Sequence, residues 1–332
     1  MTSATSPALA ELIPAGSLEA ARRVVMEAMP PTPQRVWPLL AERAGCELWV
    51  KHENHTPIGA FKLRGGLVYM DRLRREQPCI GGVITATRGN HGQSVALAAA
   101  RAGLRAVVVV PRGNSPEKNA AMRAFGAEVI EHGADFQEAY DHATAMAAGE
   151  GLHPLRAYHP WLVQGVATCG LEFLEAVPEL DVVYVPVGQG SGISGMLAAK
   201  AALGRRVLVK GVVAETADAY ARSFRAGRAV ATDSAVTFAD GLACRKPDER
   251  ALEVVMDGAA DVVTVSDAEM AEAVRLLFAA THNAAEGAGA AALAAACKER
   301  EANAGKRVGV VLSGANIDSD RFAAILQGEV PR

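Results

Sequence analysis

No stretch of this sequence is apolar enough to cross a membrane. None approaches the roughly 18 residues a spanning helix needs, and Glu19, Arg22 and Arg23 interrupt the first predicted helix. The start, Met1 to Ala8, is small and polar and reads as a loose tail, not as a signal peptide. Charge of one sign is also lacking. The 34 Lys and Arg nearly balance the 37 Asp and Glu, a net of -3, which argues against nucleic acid as a partner. Cysteine is scarce and scattered. Cys46, Cys79, Cys169, Cys244 and Cys297 are odd in number and no two have metal-ligand spacing, so they read as buried or inert thiols in a reducing cytoplasm. Nothing beside any of them supports a cysteine nucleophile. No repeat of fixed period is present, which argues against a solenoid.

What is there is a rhythm. In 332 residues, enough for one large core or two smaller ones, short apolar runs alternate with helical ones. Ser17 is predicted to cap a helix that reaches Met29, before Pro30, Pro31 and Pro33; Glu47 to Lys51 alternates like a strand. Strands are then expected at Gly82 to Ala86, Ala106 to Val110 and Glu128 to Ile130. Helices are expected at Gln93 to Ala102, Pro116 to Phe125 (with Ser115 as cap and Pro116 in the first helical position) and Phe136 to Ala148. Turn formers from His153 to Pro160 break the rhythm and predict a domain crossing. A second series follows, with strands at Asp181 to Val187, Val207 to Ala214, Asp261 to Val265 and Arg307 to Leu312. Its helices run over Ile193 to Leu203, Asp218 to Ala226, Glu286 to Arg300 and Asp318 to Leu326, with a further one opened by the capping box Ser266 to Glu269. Continuously apolar strands alternating with helices predict an α/β fold: two lobes of open, mostly parallel sheets covered by helices, with a ligand cleft at the carboxyl ends of the strands.

Three segments could carry chemistry. Thr56 to Gly65 places Lys62 behind Phe61 at a predicted helix start, a candidate Schiff-base nucleophile; taken alone, the segment fits a solvated surface lysine better. Thr85 to Gln93 is a strand-to-helix loop crowded with hydrogen-bonding groups that could grip a carboxylate, or an ordinary helix start capped by Asn90. Gly188-Gln189-Gly190-Ser191-Gly192 follows a strand and opens a helix, a good anion turn. Gly190, Gly192 and Gly195 also fit a dinucleotide fingerprint, with Glu215 poised for a ribose hydroxyl, so this cluster alone favours a nicotinamide-dependent oxidoreductase. That rival leaves Lys62 and the Asn90 loop without a task. Ser313-Gly314-Ala315-Asn316 adds a polar turn after the final strand.

Taken together and in this order, these motifs resemble the fold-type-II pyridoxal-phosphate enzymes, a fold like the tryptophan synthase β chain. Within them the chain resembles the serine/threonine dehydratase (threonine ammonia-lyase) branch that also includes serine racemase. The resemblance runs from about Pro31 to Asp318. It implies a large cofactor-binding domain of residues 1–67 and 158–332 and a small mobile domain of residues 68–157. It implies that Lys62 holds pyridoxal 5'-phosphate and then acts as the base at Cα, and that Phe61 flanks the ring. Asn90 would bond the phenolic oxygen, Gly188 to Gly192 the phosphate, and Ser313 would face the ring nitrogen. Thr87, Arg88, Gly89 and His91 would line the substrate carboxylate pocket. The expected reaction removes water and then ammonia from L-threonine or L-serine, with the bound phosphate as candidate proton donor and a cytoplasmic homodimer as the working form.

The departures from the family are as informative. Where racemase-like members carry a serine as second base, this chain has Arg88, which stays protonated, so racemisation is not expected. Arg88 also opens an alternative substrate, 3-hydroxyaspartate, whose distal carboxylate it could reach. The family's divalent-ion pattern is kept at Glu215 and Ala219 but has Ala221 for its aspartate, and no metal site is predicted. Asp240, Gly241 and Glu286 stand in family-like contexts and are expected near the pocket. Only about a dozen residues follow Ser319, so the short, catabolic kind without a regulatory extension is expected. β-Replacement enzymes are disfavoured by His91 after Asn90.

Overall fold

The structure, a computed structural model, describes residues 7–331. Among the described residues ten strands form two sheets. They are β1 (Gln34–Val36), β2 (Glu47–His52), β3 (Gly82–Ala86), β4 (Arg105–Val110), β5 (Glu128–Glu131), β6 (His153–Pro154), β7 (Val182–Pro186), β8 (Leu208–Ala214), β9 (Asp261–Val265) and β10 (Arg307–Leu312). The large sheet has the order β1-β2-β10-β7-β8-β9 and the small one β5-β4-β3-β6. Every pairing is parallel except β1 with β2. The expected α/β fold with open, mostly parallel, helix-covered sheets is what is found.

The apolar strands are explained by burial on both faces. Along β7, Val183 and Val185 enter one core and Val182 and Tyr184 the other. Along β4, Val108 and Val110 face one core and Val107 and Val109 another. The pleat sends alternate residues to opposite sides, and both sides are covered, so no polar alternation survives in the sequence. Helix Gly287–Lys298 shows the same logic in helical form. Gly287 through Ala296 are all buried, and all but Leu293 are glycine or alanine, which lets the helix lie close to a sheet and its neighbouring helix.

Each sheet contains a place where the strand order reverses. In the large sheet β7, β8 and β9 run one way and β10 and β2 lie on the other side of β7. In the small sheet β4 and β5 lie on one side of β3 and β6 on the other. Open α/β sheets bind ligands outside the carboxyl ends of strands at such points. Here those ends release three candidate segments: β3 leads to Thr87, β7 to Gly188 and β10 to Ser313.

Several local expectations change. Ser17 does not cap its helix: Gly16 does, with φ 75°, and the Ser17 hydroxyl is buried without a partner among the described residues. That helix stops at Met26. The capping box at Ser266 and the Ser115 cap are present as expected. The stretch from His153 to Pro160 contains β6 and leads into helix Pro160–Ala176, which sequence reading did not assign. Strand β1 and helices Pro38–Ala44 and Glu249–Gly258 were also not expected.

Candidate active site

All thirteen residues singled out for the cofactor and substrate line one cleft. They are Phe61, Lys62, Thr87, Arg88, Gly89, Asn90, His91, Gly188, Gln189, Gly190, Ser191, Gly192 and Ser313. Asp240, Gly241 and Glu286 line it as well. Lys118, Phe136 and Leu242 also contribute, and no motif pointed to them.

Lys62 is the first residue of helix Lys62–Glu76. The loop before it is pinned to the end of β10: Phe61 N donates to Ser313 O at 3.0 Å, Ala315 N to Gly59 O at 2.9 Å, and Asn316 Nδ2 to Ile58 O at 2.8 Å. Gly59, at φ 69°, makes the turn. The lysine is thereby aimed across the cleft, and Nζ donates to Ser191 Oγ at 3.1 Å. Burial lowers its pKa from the ordinary 10.5 to about 8, because a desolvated ammonium is disfavoured. A large fraction of neutral, nucleophilic amine is therefore present at mildly alkaline pH.

Gly190, at φ 94°, is the N-cap of helix Ser191–Ala202 and offers no side-chain cap. The first amides of that helix have no intrahelical partner and point at the turn. Side chains are excluded there by contact: a Cβ on Gly188 would stand 2.1 Å from Gly241 O, and one on Gly190 2.6 Å from Ala251 Cβ. Gln189 and Ser191 keep the turn intact. The Gln189 side chain turns away to Cys244 Sγ at 3.6 Å, and its carbonyl accepts from Tyr220 Oη at 3.1 Å.

Asn90 is not a cap. Gly89 holds that place, and the Asn90 amide instead donates to Glu286 Oε1 at 2.6 Å and accepts from Asn316 Nδ2 at 2.7 Å. Both ends of the side chain are fixed, so its face toward the cleft is set. Glu286 is buried, which raises its pKa, while Lys118 and the Asn90 bond hold it back. His91 is neutral. Burial and the nearby Lys62 charge depress it to about 3, and its Nε2 is buried without a partner among the described residues. Thr87 Oγ1 accepts from Gly89 N at 3.2 Å. Arg88 is exposed and makes no hydrogen bond or ion pair among the described residues. Ser313 Oγ lies 3.4 Å from Ala288 O, with no carboxylate hydrogen-bonded to it.

The dinucleotide alternative does not survive this geometry. Glu215 does not line the cleft and pairs with Lys298 at 3.2 Å. The third glycine of the fingerprint, Gly195, serves helix packing: a Cβ there would stand 2.9 Å from Ala167 N. A phosphorylated aldehyde fits the residues present. The glycine turn takes an anion, the desolvated amine beside it can bond a carbonyl carbon, and the orphan His91 nitrogen awaits a polar ligand.

Known proteins agree. The chain is 37% identical over 291 residues to the L-threonine ammonia-lyase of Thermotoga maritima, covering 87% of this chain and 72% of that one. It is 31% identical over 313 residues to the L-threo-3-hydroxyaspartate ammonia-lyase of Saccharomyces cerevisiae, covering 94% and 95%. Among solved structures it resembles the processed form of threonine deaminase isoform 2 from Solanum lycopersicum, with a TM-score of 0.90, 28% identity, and 98% and 94% of the two chains covered. Residues 25–314 match the family described as pyridoxal-phosphate dependent enzyme, and with the lysine, glycine turn and asparagine gathered in one cleft, the chain belongs to that family.

Proposed function

We propose that this protein is an ammonia-lyase that eliminates water from a 3-hydroxy-L-amino acid, L-threonine or L-serine first, and yields a 2-keto acid and ammonia. The observation that carries the reading is the Lys62 amine, desolvated and 3.1 Å from Ser191 Oγ at the anion turn. Lys62 would hold the cofactor, with Phe61 against its ring, the amides of Gly188 to Gly192 on its phosphate, Asn90 on its phenolic oxygen and Ser313 at its ring nitrogen. When bound, pyridoxal phosphate supplies an electron sink that acidifies the substrate Cα–H.

The protein's own groups do the rest. The loop Thr87 to His91 receives the substrate carboxylate. Lys62 Nζ takes the Cα proton, the C–H electron pair becomes the Cα–Cβ double bond, and the Cβ–O bond breaks with its pair on the oxygen, which leaves as water, so that net one proton passes from Cα to the leaving hydroxyl. The released unsaturated amine hydrolyses to keto acid and ammonia. Ser313, a hydroxyl and not an acid, would stand at the ring nitrogen and would not protonate it, which would leave the sink weaker and favour prompt loss of the hydroxyl. Residues 68–157 act as a small domain that moves over 1–67 and 158–332. The reading includes a cytoplasmic homodimer. Its five free cysteines suit a reducing compartment, no described helix is long and apolar enough to cross a membrane, and light scattering would test the dimer.

The unpaired Arg88 guanidinium on the cleft wall favours a second substrate, 3-hydroxyaspartate, the type of substrate named for the yeast relative. Keto-acid release from L-threonine, L-serine and L-threo-3-hydroxyaspartate by protein supplied with pyridoxal phosphate tests the proposal. Lys62→Ala should lower each rate by at least about 10³-fold; release that persists without Lys62 would sink it.

A further inference from the structure

Helix Pro116–Ala124 follows β4 and meets the large lobe at its first turn. Three bonds cross there. Ser115 Oγ donates to Asp318, Ser319 N donates to Glu117 Oε1 at 3.0 Å, and Lys118 Nζ donates to Asp240 Oδ2 at 3.0 Å. Of these, the Lys118–Asp240 pair lies on the cleft wall. The Lys118 stem crosses the substrate loop, since a Cβ on Gly89 would stand 2.9 Å from Lys118 Cδ. Beyond Asp240, the carbonyl of Gly241 abuts Gly188 of the anion turn. One side chain thus spans from the loop of the small sheet to the backbone that packs on the turn of the large one. The Lys118 side chain is 11% exposed and that of Asp240 35%, so the ammonium depends on this partner.

We propose that Lys118 is a positioning residue: through Asp240 and Gly241 it holds the loop Thr87 to His91 and the turn Gly188 to Gly192 at one fixed spacing. Substrate carboxylate and cofactor phosphate then sit at the separation that the reaction at Cα requires. The same ammonium favours the ionised form of Glu286, the carboxylate that accepts from Asn90, so it steadies a third contact of the site. The substrate arm rests on the lyase reading above; the cofactor arm does not.

Lys118→Met keeps the stem and removes the charge, and Asp240→Asn removes its partner. Cofactor-free protein titrated with pyridoxal phosphate, followed by visible absorbance, reads the anion turn with no substrate present. Each single variant should weaken uptake about 10-fold and raise the KM for the hydroxy-amino acid about 10-fold. The double variant should be no worse than the worse single one, and Lys118→Arg should restore most of both losses. Unchanged uptake and KM with only a lower Tm overturns the proposal, as do single effects that multiply in the double variant. If Lys118→Met does not fold, Asp240→Asn decides by the same uptake criterion. If the parent protein turns over no hydroxy-amino acid, the lyase reading fails while the uptake titration still decides the role of Lys118.

Discussion

Replacing Arg64 by Met should destabilise the cofactor-free protein by about 4 kcal/mol at pH 7. Arg64 lies two residues beyond Lys62, and its side chain is fully buried. It donates to Glu53 at 2.7 and 2.9 Å, to Glu172 at 2.7 and 2.8 Å, to Thr168 at 2.9 Å and to Thr32 at 3.2 Å. Lys51 Nζ adds a contact to Glu172 at 2.6 Å. Two cations and two carboxylates therefore balance in a region where neither Lys51 nor Glu53 has any exposed side chain. Methionine would fill much of the space but leave one buried negative charge without its partner, and such losses cost about 3–5 kcal/mol. At about 2.1 cal/mol/K per residue, the Tm of a chain of this length should fall by roughly 6 °C.

The pH dependence supplies a second check. In the parent, burial opposes ionisation of Glu53 but the Arg64 charge and hydrogen bonds outweigh it, and its pKa is lowered. That contribution is present above the unfolded carboxylate pKa and is lost as pH falls through the lower folded value. In the variant burial dominates and the folded pKa lies above the unfolded one. The folded variant then gains relative stability as Glu53 takes up a proton, so the deficit should narrow between pH 7 and pH 5. Thermal and urea unfolding followed by circular dichroism measure both effects. A deficit below about 1 kcal/mol, the range of an exposed pair such as Arg75–Asp71, would refute the argument, as would a deficit independent of pH.

Other outcomes follow from the cleft. Cofactor uptake by the free protein should accelerate as pH rises from 7 to 9, with a midpoint near 8, because the buried Lys62 is neutral above its lowered pKa of about 8; a midpoint near 10.5 would show an ordinary solvated amine. Arg88→Ala should raise the KM for 3-hydroxyaspartate by at least about 10-fold and leave that for L-threonine within about 2-fold, since only a distal carboxylate would use the free guanidinium; equal effects on both would assign Arg88 to the loop. Because Arg88 cannot serve as a base, chiral chromatography after incubation with L-serine should show keto acid and no accumulating D-serine.

Much of the candidate site's lining was legible because its segments are local. A strand end, a glycine or asparagine turn and a helix start follow one another directly in the chain, so Lys62, Asn90 and Gly188 to Gly192 announce themselves in short segments. The fold was legible for a related reason. Strands buried on both faces, such as β4 and β7, must be apolar throughout, and the helices between them must start and stop within a few residues. Elements without such a pattern were missed. Strand β1 is three residues, Gln34–Val36, too short to show a period, and pairs antiparallel with β2. The apparent dinucleotide fingerprint misled because glycine spacing does not say what a glycine is for: Gly190 makes a turn, whereas Gly195 admits a helix.

The sequence by itself determined the lysine segment, the glycine turn, the apolar strands and the family to which the chain belongs, since each depends on residues that are neighbours along the chain. Only the tertiary structure decided which polar groups meet. Asn90 finds Glu286 and Asn316, Lys118 finds Asp240, and Arg64 finds Glu53 and Glu172, while Arg88 finds no partner among the described residues. Most of these partners are separated by a hundred residues or more. What pairs them is the order of strands in two sheets, and the cost of burying an unpaired charge makes those meetings specific.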